Sequence, residues 1–422
     1  MTIAPRILST LMVLAVASLA AFSAPGRVTR ERFLMGTRCE ATVAWAPGSG
    51  IGREEAAEAI EAAFDEIARL EAILSDYRPD SELSRLNRQA TAAPFACSDD
   101  LYGFLARSVE LARRSHGAVD ITVAPLVQVW DLRGEGRRAS AAEIERAREK
   151  VGYRLLRMDP THRSVRFRVA GMGLDPGALG KGFALDAAAR ILRGRGVTSA
   201  LLDFGGQILA IGSPPGQEAW QVGVAHPLRR DEQLLALRLR DASVATSGNA
   251  ERGIMAGGVR LGHVVDPRTG LTVDTDASAV VIAPTATLAD AASTAVLVMG
   301  PREGLLWAES QPDLSALYLA AGADGAVERR ATPGFELAYL PPGADGVAGG
   351  AETGGREEEP DRRIADLERR VRELEASLEK TQEASPSAAE LQRRIDVLAE
   401  ELERNRAGQP QKPGGLRSVH GL

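Results

Sequence analysis

Residues 288–300, LADAASTAVLVMG, constrain the fold of this 422-residue chain more than any other stretch. Leu288, Ala292, Val296 and Met299 recur at helical spacing, and Gly300 stands where a C-terminal cap falls. The helix is apolar almost throughout, so it reads as buried, and a buried helix needs other elements packed around it. Yet Asp290, with Ser293 and Thr294 one turn later, puts a carboxylate and two hydroxyls on one face. An unpaired carboxylate is costly to bury. Two things can meet it: a local hydrogen bond or helix N-terminal charge, or a cation.

The surroundings of that helix mix strands and helices. Residues 30–45 read as strand, interrupted at FLMGTR, and residues 53–76 as a long amphipathic helix with Ile60, Phe64, Ile67 and Leu74 on its apolar side. Ser98 caps a helix that ends at Gly117, and SAAE at 140–143 is a capping box. Val165, Phe167 and Val169 alternate with polar residues as a strand does, and SALLDFGGQILAIG at 199–212 reads as strand, glycine turn, strand. Further strands are expected at 219–224, 234–240, 277–283, 315–320 and 335–340. There is no regular βαβ alternation, so the fold class is α+β. With 44% hydrophobic and 26% charged residues the composition is that of a globular protein, and a net charge of −6 argues against a nucleic-acid binder.

The two ends differ from this body. Arg6 precedes an apolar run from Ile7 to Phe22, then small residues and Pro25-Gly26. The run is short for a membrane span, so residues 1–24 are expected to be an export signal or an uncleaved anchor. The protein is then exported, on the periplasmic or envelope side of the inner membrane. No cysteine follows the run, so a lipid anchor is not expected; Cys39 and Cys97 lack zinc spacing, and their pairing stays open. Residues 341–360 have the composition of a flexible linker. In 361–404, Ile364, Leu367, Val371, Leu374 and Leu378, then Leu391, Ile395, Leu398 and Leu402 after a break, recur as in short coiled-coil-like helices. Self-association, binding of a partner protein, an intramolecular hairpin and a solvated helix all fit that pattern. Residues 405–422 are expected to be disordered.

Two clusters carry chemistry. In LDPGALGKGFALDAAARIL a strand runs into Asp175, a glycine-rich loop with Lys181 and the start of a helix, which is how backbone N–H groups are presented to phosphate. The spacing is not that of a P-loop, and a plain strand-to-helix turn explains it as well. In HVVDPRTG, residues 263–270, a tight turn accounts for Asp266, Pro267 and Gly270. His263, at the start of a short strand, has the near-neutral chemistry of a general base, although a lone histidine is more often structural than catalytic.

Taken in order, MGT at 35–37, SDYRPDSELSRLN at 75–87, GAVDITVAPL at 117–126, DPGALGKGFALD, DFGGQI, VATSGNAER at 244–252, HVVDPRTG and ADAASTA at 289–295 resemble the ApbE family of flavin transferases over residues 28–340. That resemblance implies an exported, magnesium-dependent enzyme with a two-lobed, T-fold-like unit. It would split the pyrophosphate of FAD, link FMN to a threonine of an acceptor protein through a phosphoester and release AMP. It further implies FAD contacts at Met35, Tyr77, Ala118, Val119, Asp120, Asp175, Lys181, Val265 and Ser293. Mg²⁺ ligands would be the Ala178 carbonyl, Asp290 and Thr294, with His263 as base. Ala250 stands where the family usually has an aromatic residue, and residues 361–404 lie outside the family core. A Mg²⁺-dependent FAD pyrophosphatase with the same site, and a non-enzymatic flavin-binding scaffold, are the alternatives.

Overall fold

The computed structural model describes residues 25–229, 232–249, 254–256, 259–322, 326–336 and 339–340. The expected export segment 1–24, the linker 341–360, the helices at 361–404, the tail 405–422 and Ala250 lie outside the described residues.

A hairpin opens the described chain: β1 (Gly26–Leu34) and β2 (Thr37–Trp45) are joined by Met35-Gly36, both at positive φ, the geometry that matches the twist of antiparallel strands. Helices α1 (Arg53–Leu74) and α2 (Glu82–Gln89), the two-residue strand β3 (Phe95–Ala96) and α3 (Asp99–Arg114) follow. Ser98 accepts a hydrogen bond from Leu101 N–H and so caps α3. Next come α4 (Ala124–Trp130), α5 (Ala141–Arg148) with its Ser140/Glu143 capping box, β4 (Leu156–Asp159) and β5 (Ser164–Phe167). Helix α6 (Gly180–Gly194) precedes β6 (Ala200–Phe204), β7 (Gln207–Ile211), β8 (Trp220–Ala225), β9 (Gln233–Leu239) and β10 (Ala242–Gly248). The short pair β11 (Ile254–Ala256) and β12 (Val259–Leu261) leads to β13 (Ala277–Ala283), the long α7 (Ala286–Glu309), β14 (Ser315–Ala321), β15 (Val327–Ala331), α8 (Pro333–Glu336) and β16 (Tyr339–Leu340).

Eight of these strands form one sheet in the order β1-β2-β6-β7-β10-β13-β14-β15, antiparallel at every step. Alternation assigns its two faces. Cys39, Ala41 and Val43 of β2 and Leu209 and Ile211 of β7 pack with α1 and α6. Ala279 and Val281 of β13 and Ala316 and Tyr318 of β14 pack with α3 and α7. The intervening residues Ala44, Ala210, Val280, Leu317 and Leu319 turn to the other face, which is covered by the small sheet β16-β9-β8. A strand such as β13, ASAVVIA, is therefore apolar on both sides because both sides are covered.

Five expectations change in detail. The first strand begins at Gly26, earlier than residue 30, and α1 ends at Leu74 with Ser75 as its cap. Residues 335–340 are not one strand: Pro333 starts a helical turn that buries Phe335, and only Tyr339–Leu340 pairs, with β9. Gly300 does break the apolar helix, at φ 78, but Pro301 begins a second helical stretch that runs to Glu309. His263 stands in no regular strand; its hairpin is held by the single bridge Val265–Thr272 and by Val273 N–H bonding the Val264 carbonyl. Cys39 and Cys97 are both free, Cys39 fully buried.

Candidate active site

The site forms where the N-terminus of α6 meets the first turns of α7. The two helices touch at Gly182: a Cβ there would lie 2.4 Å from the Ala286 carbonyl oxygen and 2.7 Å from Thr287 Cα, so only glycine fits. Asp186, one turn further along α6, accepts hydrogen bonds from Ala286 N–H (2.8 Å), Thr287 N–H (2.9 Å) and the Thr287 hydroxyl (2.5 Å). Thr285 caps the Leu288 N–H, so the start of α7 is fixed by its own cap and by a carboxylate from α6. Gln207, at the start of β7, adds a bond from its Nε2 to the Ala286 carbonyl at 2.8 Å.

That crossing delivers Asp290 to the first turn of α6. Its Oδ2 accepts the Gly182 N–H at 3.0 Å, and Lys181 supplies a positive charge beside it. The residue is only 6% exposed. Burial pushes its pKa up to about 6, with Lys181 and the Gly182 hydrogen bond pulling it back and Asp186 adding to the rise. One turn on, the Ser293 and Thr294 hydroxyls donate to the Asp290 carbonyl at 3.0 and 3.2 Å. Ser247, at the end of β10, lies 2.8 Å from Ser293 Oγ and 3.2 Å from Thr294 Oγ1.

The oxygens here suit a hard cation. With Gly182 N–H given to Asp290, no backbone hydrogen bond among the described residues ends on the Ala178 carbonyl, four residues earlier. Thr294 donates to the Asp290 carbonyl and meets Ser247 Oγ at 3.2 Å, which leaves its hydroxyl oxygen one further lone pair. Among the described residues no three His, Cys, Asp or Glu gather as a metal cluster. A carboxylate, a carbonyl and a hydroxyl with open positions are what Mg²⁺ uses when substrate phosphates complete its shell.

The other expected residues fall into four groups. Met35 reaches the start of α6, its Cε 4.0 Å from where a Cβ of Gly180 would be. Tyr77 and Asp175 meet through Arg133, whose guanidinium lies 4.6 Å from the Tyr77 ring centroid and 2.5 Å from Asp175 Oδ2. Ala118, Val119 and Asp120 are buried, and Asp175 N–H bonds the Ile121 carbonyl at 2.7 Å, tying that stretch to the glycine loop. The Asp120 carboxylate faces its own backbone: it accepts Thr122 N–H (2.9 Å), the Thr122 hydroxyl (2.7 Å) and Tyr153 N–H (2.5 Å). Its side chain thus serves as a clip, and burial raises its pKa.

The His263 hairpin lies against the core that carries these helices: Val264 and Val273 pack on the cluster that contains Leu179, Leu288 and Ala292. Val265 belongs to a cluster with Leu126, Trp130 and Ile144, and Trp130 Nε1 donates to the Gly270 carbonyl at 2.8 Å. Asn249, two residues beyond Ser247, donates to the Val273 carbonyl and so ties the hairpin to the end of β10. His263 is half-buried there. Sequence reading singled out neither Ser247, Asp186, Asn249 nor Arg133. Asp186 carries a signal that could have found it: like Asp290, it is a carboxylate inside an otherwise apolar, alanine-rich helix.

Comparison with known proteins bears on this arrangement. The ApbE family profile matches residues 35–318. The chain is 32% identical over 311 residues to the FAD:protein FMN transferase of Treponema pallidum, covering 69% of this chain and 84% of that protein. Among solved structures it is similar to the Pseudomonas stutzeri flavinyl transferase ApbE in its apo form, with a TM-score of 0.66, 26% identity and coverage of 76% and 98%. The ApbE protein of Thermotoga maritima superposes with a TM-score of 0.66, 28% identity and coverage of 75% and 100%.

Proposed function

We infer that this chain, which belongs to the ApbE family, works as that family does: it is an enzyme that transfers FMN from FAD to protein. We further propose that the acceptor is a threonine hydroxyl and that Mg²⁺ is required. The observation that carries the metal reading is Asp290, buried and ionisable, with one bond to Gly182 and oxygens of Ala178 and Thr294 left to share a cation. When bound, Mg²⁺ would be held by these three and would neutralise charge on the pyrophosphate.

The chain's own groups account for the remaining work. The N-terminal amides of α6 and Lys181 present positive potential to phosphate oxygens. The threonine oxygen attacks the phosphorus on the FMN side as the bond to the AMP phosphate breaks, and AMP leaves with that electron pair. His263 takes the hydroxyl proton. Ser247 and Asp186 hold Thr294 and the start of α7 in place. Residues 1–24 support export to the envelope side, and residues 361–404 support self-association.

The test is incubation of the protein with FAD and an envelope extract, followed by in-gel flavin fluorescence and mass spectrometry of the labelled peptide. A covalent band that needs Mg²⁺ and maps to threonine is expected. Free FMN and AMP with no labelled protein would mean hydrolysis instead. His263→Ala is expected to lower transfer by about 10²- to 10⁴-fold while FAD affinity holds. Transfer at the parent rate would remove His263 as the base.

A further inference from the structure

Tyr77 and Asp175 share a partner from a third segment. Arg133 sits in the turn after α4, where Asp131 adopts a left-handed conformation at φ 52. Its carbonyl accepts the N–H groups of Gly134 and Gly136, each at 3.1 Å, and Arg137 N–H closes back on the Trp130 carbonyl at 3.0 Å. A side chain on Gly134 would strike the Asp131 carboxylate at 2.7 Å, so this turn is compact. It carries Arg133 to the segment after α1 and to the start of the glycine-rich loop. There one guanidinium nitrogen, Nη2, donates to both Asp76 and Asp175, and the guanidinium carbon lies 4.6 Å from the Tyr77 ring centroid. The Asp76 and Asp175 side chains are 7% and 13% exposed, that of Arg133 33%.

We propose that Arg133 is a positioning residue for FAD: it offsets one of the two negative charges of Asp76 and Asp175 and holds Tyr77 and Asp175 in one arrangement before the substrate arrives. The proposal rests on the reading that Tyr77 and Asp175 meet FAD. Two carboxylates on one nitrogen are close neighbours, and like charges at such range repel strongly where water is scarce. FAD adds a doubly charged pyrophosphate to the same region. Without a cation between the carboxylates, the site would meet an anionic substrate with an unbalanced pair of its own. The planar guanidinium is suited to this double duty, since it can stack on a ring face and donate in its own plane at once. Lysine has no such plane. Burial and the neighbouring Asp175 push the Asp76 carboxyl up, against the pull of Arg133, as expected where two carboxylates share one cation.

The experiment is FAD titration by flavin fluorescence on the full chain. Arg133→Gln is expected to weaken FAD binding about tenfold, the scale of losing hydrogen bonds to charged groups. The deficit should be smaller near about pH 5 than about pH 8, because protonation of Asp76 relieves the imbalance that the substitution creates. A merely structural arginine would not give that dependence. Asp76→Asn with Arg133→Gln restores the balance and should return affinity to within about threefold of the parent. Parent-like binding by Arg133→Gln overturns the proposal, as does a deficit independent of pH. If Arg133→Gln fails to fold, the double substitution decides alone: recovery supports the proposal, and a larger loss or failure to fold overturns it. Tyr77→Ala and Asp175→Asn separate the two levels. If neither changes FAD affinity, the reading of the site fails whatever Arg133 does.

Discussion

Asp290 shows how a single residue can have two answers at once. Its carboxylate has a local partner, the Gly182 N–H, and that alone explains why burial is tolerated. It does not explain the pKa lifted to about 6 by burial, or the two hydroxyls arranged one turn away. Asparagine would keep an acceptor for Gly182 and lose the charge. Asp290→Asn is therefore expected to fold with a thermal midpoint at or above the parent when divalent cations are absent, since a buried charge is removed. On the proposed assignment, Mg²⁺ should raise the midpoint of the parent and not that of the variant, which lacks the charged ligand. Equal stabilisation of both by Mg²⁺ would move the metal away from Asp290. The helical spacing of Asp290, Ser293 and Thr294 made this face legible in the sequence. Ser247 was not, since it approaches from β10, 46 residues before Ser293, and nothing local to a serine at a strand end reveals its partner.

At the level of elements, the crossing of α6 and α7 decides whether the site exists. The glycine-rich run before α6 was readable as the start of a helix, and Lys181 as its cation, but the strand expected to run into Asp175 stops at Phe167. The reason for Gly182 was not readable, because its constraint comes from the backbone of a helix more than a hundred residues away. The atoms a Cβ would meet there, the Ala286 carbonyl and Thr287 Cα, are backbone and cannot swing aside. Gly182→Ala is expected to destabilise the protein by about 1–3 kcal/mol through overpacking, despite the gain in helix propensity that alanine normally brings. Thermal or urea unfolding reads the loss, and parent-like stability would show that the helices can separate cheaply. The strand expected at 335–340 failed for a similar reason. The alternation in FELAYL is real, but Pro333 suits the first turn of a helix, and that turn drops Phe335 into the core between the sheets.

At the scale of the whole molecule, α+β was legible from the irregular mix of elements, whereas the order of the sheet was not. Neighbours such as β2 and β6, or β7 and β10, are separated by helices or by the small sheet, so local pattern says nothing of their pairing. The described chain closes on itself late. Thr332 Oγ1 donates to the Ala316 carbonyl and accepts its N–H at 2.9 Å, Phe335 is fully buried, and Tyr339 and Leu340 pair with Leu237 and Ala236 of β9. A chain cut after Leu340 keeps all of these contacts and loses only residues 341–422. It is expected to bind FAD and to label a soluble acceptor as the full chain does, with a lower mass in solution if residues 361–404 drive self-association. A chain cut after Ala331 removes Phe335 and β16 from the covered face of the main sheet. The loss of one buried phenylalanine alone is worth about 3–5 kcal/mol. That shorter form should unfold at markedly lower temperature, by calorimetry, and lose FAD binding with it. If the cut after Leu340 already abolishes FAD binding, the boundary at Leu340 is wrong, and residues beyond it belong to the catalytic unit.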